Sequence, residues 1–201
     1  MLLIENLTKI FNPDTIDQKI ALNDVSITIE KGDFVTVIGS NGAGKTTLLN
    51  LISGTYLPEN GRIVIDGIDV TKLQEHKRAK YLGRIFQDPL MGTAASRTIE
   101  ENLGMADLRG KTRTLRWGVN RSRRDHYRDI LKKMGLGLEK RLKQSVSLLS
   151  GGQRQSLTLL MVTLTLPKLL LLDEHTAALD PKTAKRGMEL TQTSISDNQL
   201  S

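Results

Sequence analysis

Residues 38–47 read Ile-Gly-Ser-Asn-Gly-Ala-Gly-Lys-Thr-Thr, directly after the mostly apolar run Phe34-Val35-Thr36-Val37. From Gly39 to Thr46 the spacing is G-x-x-x-x-G-K-[ST], a phosphate-binding loop when a strand precedes it and a helix follows. Glycine reaches positive φ without strain, so successive backbone N–H groups can converge on phosphate oxygens. A helix opening near Lys45 aims the positive end of its dipole at the same anion. Lys45 is expected to bridge the β- and γ-phosphates and Thr46 to offer its hydroxyl to Mg²⁺. Gly39, Ser40, Asn41, Gly42, Ala43, Gly44 and Thr47 complete the expected cradle.

Two later stretches extend this reading. Leu169 to Leu172 is fully apolar, as in a buried parallel strand, and Asp173 and Glu174 follow it. A carboxylate at the C-terminal edge of such a strand stands where open α/β sheets bind ligands. Asp173 suits a Mg²⁺ ligand there, and Glu174 a general base for an attacking water. Ser150-Gly151-Gly152-Gln153 precedes a helical stretch, so it reads either as a plain N-cap with a glycine turn or as a second phosphate site.

Around these motifs the predicted elements form an α/β chain. Strands are expected at Leu2–Leu7, Ala21–Ile29, Phe34–Ile38, Gly61–Ile65, Leu82–Phe86 and Leu169–Leu172. Helices are expected at Lys45–Ser53 with Gly54 as the stop, at Leu73–Lys80, from Gln153 to Leu166, and after Pro181. Between Thr98 and about Leu142 the chain is helical in character, basic and poor in β-branched residues, which marks an inserted subdomain. The expected division is an α/β core of residues 1–97 and 145–201, with a helical subdomain over about 98–144.

Composition sets the outer limits. The 201 residues suit one domain with a small subdomain, and 38% hydrophobic content supports a core. No cysteine is present, which excludes disulfides, thiolate zinc sites and thiol catalysis. The N-terminal MLLIENLTKIF has an early Glu5 and no basic flank, so no signal peptide is expected. The apolar stretch Leu157–Leu172 is broken by three threonines, Pro167 and Lys168. It also falls short of the roughly 20 residues that span a bilayer. The net charge of +7 is concentrated between Arg109 and Lys133, where ten Lys/Arg meet two acids, Asp125 and Asp129. A solvated face, nucleic acid, anionic lipid or an acidic partner all fit such a run. Aromatic interleaving is thin, with Trp117 and Tyr127 alone, so a stacking platform for single strands is poorly supported.

Taken together, the motifs resemble the nucleotide-binding subunit of an ABC (ATP-binding cassette) transporter over essentially the whole chain. In that family residues 39–46 correspond to the Walker A loop of a P-loop NTPase core and 169–174 to the Walker B strand. Leu149–Gln153 corresponds to the signature sequence, Gln87 to the Q-loop and Ala178-Leu179-Asp180 to the D-loop. Phe11 falls where an aromatic ring stacks on adenine, although a lone aromatic there equally serves the core. The resemblance implies ATP and Mg²⁺ as ligands, with Thr46, Gln87 and Asp173 around the metal and Glu174, Gln87 and Lys45 in catalysis. It implies a fold with a parallel sheet, an N-terminal antiparallel β subdomain and the inserted helices. It also implies a homodimer or paired cassette in which Ser150, Gly151, Gly152 and Gln153 complete the partner's ATP site.

Membrane permease subunits, an indirect extracellular binding protein and the cytoplasmic face of the cell membrane follow from the same likeness. The stretch Gly61–Gln87 looks most similar to cassettes of amino-acid uptake systems. A soluble cassette ATPase acting on nucleic acid, or an ATP-binding module with little turnover, stands as the alternative. Nucleic acid is not the expected partner, because translation-type cassettes come in pairs on one chain and repair-type cassettes carry a long coiled coil. Two features depart from the family pattern. His175 stands where proline is commonest, and is read as a structural variant rather than a ligand. The histidines are His76, His126 and His175, so none of the 21 residues after Asp180 supplies the family's switch histidine. ATP·Mg²⁺ binding with slow hydrolysis by the chain as written is the resulting expectation.

Overall fold

Leu2, Ile4 and Leu7 bury their side chains almost completely, which places one face of the first strand against a core. The computed structural model describes residues 1–86, 91–110, 119–135, 137–165 and 167–172. These residues gather into two compact units, one of Met1–Arg84 with Pro167–Leu171 and a second beginning at Ile85.

In the first unit β1 (Leu2–Phe11) lies between β2 (Lys19–Ile29) and β3 (Asn60–Ile65), antiparallel to both. The two-residue strand β4 (Ile68–Asp69) completes the order β2-β1-β3-β4. Register pairs Ile4 with Ile27 on one side and with Ile63 on the other, so apolar residues meet across the sheet. A bulge interrupts β1 after Ile4, where Asn6 takes φ 48° and its N–H donates to Ser26 Oγ at 2.9 Å. Gly61 crosses this bulge at φ 95°, and a Cβ there would lie 2.5 Å from the Glu5 carbonyl oxygen. Only glycine fits.

Helix α1 (Lys45–Ser53) covers this sheet with Leu48, Leu51 and Ile52, the i, i+3, i+4 stripe of an amphipathic helix. It ends as its sequence predicts: Gly54 adopts φ 87° and its N–H donates to Asn50 O and Leu51 O. A second sheet, parallel, joins β5 (Leu82–Ile85) to β6 (Leu169–Leu172).

Two sequence expectations for this unit need correction. Phe34–Ile38 forms no strand, and Phe34 and Ile38 are 71% and 89% exposed. The apolar pattern supplies β-propensity, but a strand exists only through a ladder, and no described strand pairs with this segment. The helix expected over Leu73–Lys80 shrinks to α2 (Glu75–Arg78). The carbonyls of Thr71 and Leu73 accept from the Arg78 guanidinium instead of opening a helix.

The second unit has its own core. Helix α3 (Ile99–Asp107) opens with a capping box, Thr98 Oγ1 accepting from Glu101 N–H while Glu101 Oε2 accepts from Thr98 N–H. Helix α4 (Arg121–Met134) starts at Asn120 and stops at Gly135, and α5 (Gly151–Thr163) starts at Ser150. Ile99, Leu103, Tyr127, Leu131, Leu157 and Met161 pack together between them. The basic character of α4 is partly neutralised within the unit. Arg124 grips Glu100 with two hydrogen bonds, Arg123 lies 3.7 Å from Asp107, and Arg128 donates to Asp125. Residues 111–118 of the basic run lie outside the described residues, as does the helix expected after Pro181. No helix among the described residues is long and apolar enough to cross a membrane.

Candidate functional site

The loop from Gly39 to Gly44 is shaped by its own backbone. Ala43 N–H donates to the Ser40 carbonyl at 3.2 Å, closing a tight turn. Gly42 and Gly44 take φ 83° and 87°. Gly44 is also the N-cap of α1, and a Cβ there would sit 2.7 Å from the Ala21 carbonyl oxygen. The chain thus needs glycine at this point for both conformation and space.

Helices α3, α4 and α5 each have a side chain that caps their first amides, but α1, like the one-turn α2, has none. The N–H groups of Lys45, Thr46 and Thr47 precede the first intrahelical bond, from Leu48 N–H to Gly44 O. They therefore remain donors for an anion. Lys45 occupies the end of the dipole that disfavours a cation. Its ammonium folds back over the loop, donating to Gly39 O at 2.8 Å and Ser40 O at 3.0 Å. Unsatisfied amides, a centred ammonium and the exposed Thr46 hydroxyl suit a polyphosphate with its metal ion. The donor chemistry fits.

The start of α5 has a different construction. Ser150 Oγ accepts from Gln153 N–H, and Gln153 Oε1 accepts from Ser150 N–H, both at 3.2 Å. The Gln153 side-chain carbonyl is therefore turned inward to its own helix. A serine hydroxyl that accepts as a cap keeps its own hydrogen to donate, so Ser150 can cap and still meet an anion. Gly151 is exposed, with open space where a Cβ would stand. Arg154 steadies the approach to this turn by donating to the carbonyls of Val146 and Ser147.

A match to the family described as ABC transporter runs over residues 22–177 and so covers the Walker A loop and the α5 start together. The chain belongs to the ABC transporter family. It is 45% identical over its whole length to a tyrosine transport ATP-binding protein of Clostridioides difficile, spanning 79% of that protein. A methionine import ATP-binding protein of Aliivibrio fischeri is 36% identical over 94% of this chain. An energy-coupling factor transporter ATP-binding protein of Clostridium tetani is also 36% identical, over 89%. The chain spans 53% and 60% of the length of these last two relatives. A dimeric ATP-binding cassette solved in a post-hydrolysis state with ADP and phosphate superposes with a TM-score of 0.83 at 28% identity. All of this chain and 85% of that one are covered. The family hydrolyses ATP, and its α/β cassette fold is the fold of this chain.

Within this cassette Phe11 ends β1 half-buried, its ring meeting Tyr56 edge-on at 5.4 Å between centroids. Lys9 Nζ lies 5.4 Å from the same ring centroid and donates to Leu57 O and Glu59 Oε1. Burial alone would raise the Glu59 carboxyl, but Lys9 and the Ile10 N–H outweigh it and hold the group below its ordinary range. Gln87, Asp173, Glu174, His175 and Ala178–Asp180 lie outside the described residues.

Sequence reasoning missed Arg78. Fully buried, it donates to Leu51 O and Ile52 O at the rear of α1 and to Leu73 O and Thr71 O behind it. Burial lowers its pKa to about 10, still cationic at neutral pH. The positive charge sits at the negative end of the α1 dipole, which favours both.

Proposed function

We propose that the chain is the ATP-binding and hydrolysing subunit of a membrane importer for small solutes, amino acids foremost. The start of α1 carries this reading: an uncapped helix end, led in by left-handed Gly44, with the Lys45 ammonium held over the loop. Lys45 and the amides of Lys45 to Thr47 hold the β- and γ-phosphates, and Phe11 stacks on the base. Thr46, Gln87 and Asp173 hold Mg²⁺, which when bound offsets phosphate charge and fixes the geometry of the triphosphate. Glu174 accepts the proton of the attacking water, and Gln87 helps to position it.

The start of α5 acts on a second cassette. Ser150, Gly151, Gly152 and Gln153 close over a triphosphate held by a homodimer partner or paired cassette. ATP binding draws two cassettes together head to tail, and hydrolysis releases them. Residues 1–97 and 145–201 serve as the nucleotide-binding core in this scheme. The helical stretch of about 98–144 faces permease subunits at the cytoplasmic side of the membrane, and an extracellular binding protein delivers the solute. The solutes named for relatives, tyrosine and methionine, support amino acids as cargo.

Calorimetry checks the site. ATP·Mg²⁺ binding should fall at least about tenfold in Lys45→Ala, the scale of losing a charge-assisted phosphate contact. Glu174→Gln should bind ATP and dimerise with it. Radiolabelled tyrosine and methionine uptake by the chain with its permease, lost in Lys45→Ala, tests the cargo. Unchanged ATP affinity in Lys45→Ala overturns the site, and uptake of neither solute overturns the cargo.

A further inference from the structure

Three residues of the segment between α1 and β3 are tied to the last residues of β1. Tyr56 places its ring edge-on to Phe11, with an interplanar angle of 81°. Leu57 O accepts from Lys9 Nζ at 2.9 Å. Glu59 accepts from Lys9 Nζ and from Ile10 N–H, both at 2.7 Å, while its own N–H donates to Thr8 O. At its other end the same segment is fixed to α1, since Tyr56 N–H donates to Asn50 O at 3.1 Å. Tyr56 therefore sits on a short bridge, with one end of the helix that carries Lys45 and Thr46 behind it and the Phe11 ring ahead.

We propose that Tyr56 is a positioning residue for the nucleotide base, bracing the Phe11 ring and setting its distance from the phosphate loop through α1. The proposal rests on the reading of Phe11 as the base platform. An edge-to-face partner restricts the Phe11 ring to one plane, so a base can stack without first ordering it. Lys9, drawn toward the same ring by cation–π attraction and anchored by Glu59, holds that end of β1 against the bridge. Tyr56 is partly exposed and meets Phe11 through its ring, so phenylalanine should replace it.

Calorimetric titrations of the full chain with ATP and with inorganic tripolyphosphate separate base from phosphate binding. Tyr56→Ala should weaken ATP by about threefold to tenfold, the span of one aromatic pair. Tripolyphosphate affinity should stay unchanged, and Tyr56→Phe should bind ATP within about twofold of wild type. Far-UV circular dichroism checks that each variant is folded. Phe11→Ala runs in parallel. If Phe11→Ala weakens ATP alone and Tyr56→Ala does not, the bracing role is wrong while the base platform stands. If Phe11→Ala leaves both ligands unchanged, the platform itself is wrong, and the bracing role goes with it. An equal loss of both ligands in Tyr56→Ala assigns the residue to general stability and overturns the proposal.

Discussion

At the scale of single residues, the phosphate loop shows how one side chain or its absence sets a geometry. Gly44 combines φ 87° with a carbonyl 2.7 Å from where a Cβ would stand. Gly44→Ala should therefore destabilise the chain by about 2–3 kcal/mol, by backbone strain and steric displacement together, and also weaken ATP. Urea denaturation and calorimetry read the two losses. Ser150 poses the opposite case. Ser150→Asp keeps a good N-cap, so stability should stay within about 0.5 kcal/mol of wild type. Its carboxylate would repel a γ-phosphate, so ATP-driven dimerisation of Glu174→Gln carrying this change should be lost. Retained dimerisation in gel filtration would contradict the role in trans. The left-handed glycines of the loop and the helix start at Lys45 were legible from spacing alone, because the loop geometry is local. Arg78 was not. Nothing in Glu75-His76-Lys77-Arg78-Ala79-Lys80 distinguishes it from its basic neighbours until the fold brings four carbonyls around it.

At the scale of elements, caps and stops were readable, but not every pairing was. Gly54 ends α1 and Ser150 starts α5 where the residue types say they should. The segment Phe34–Ile38 has the composition of a strand, but pairing is a property of two segments and one sequence window contains only one of them. The β3–β4 hairpin carries a titratable element. Asp69 Oδ1 accepts from the Thr71 hydroxyl and N–H, and Oδ2 from Arg62 Nε. Thr71 first, then Arg62, lowers the Asp69 pKa from 3.8 to about 2. A depressed carboxylate pKa stabilises the fold above its ordinary value, and that stability is lost as pH falls through the folded value. Asp69→Asn should thus cost up to about 1 kcal/mol near neutral pH, a modest sum because the group is half exposed. The difference in urea midpoint from wild type should shrink below pH 3.8 and close near about pH 2. A difference that persists there would remove the linkage.

At the scale of the whole molecule, the two helices proposed to meet phosphate, α1 and α5, belong to two separate cores. Leu48, Leu51 and Ile52 of α1 are buried with the first, and Leu157 and Met161 of α5 with the second. The sequence made the antiparallel N-terminal sheet and the helical middle readable, but not this partition of cores, which depends on contacts far apart in the chain. Leu131→Ala should cost about 2–5 kcal/mol, as for other fully buried leucines. Hydrogen exchange should then rise in α3, α4 and α5 and stay close to wild type in β1, β3 and α1. Equal acceleration everywhere would show one cooperative unit instead. The consequence is a particular kind of damage. If the proposed roles of α1 and α5 hold, heat or mutation that loosens the second core should leave a protein that still grips nucleotide and has lost the face it lends to its neighbour. Such a subunit would not vanish from the cell's economy of motion; mixed with intact copies, it would occupy their partners and stall them.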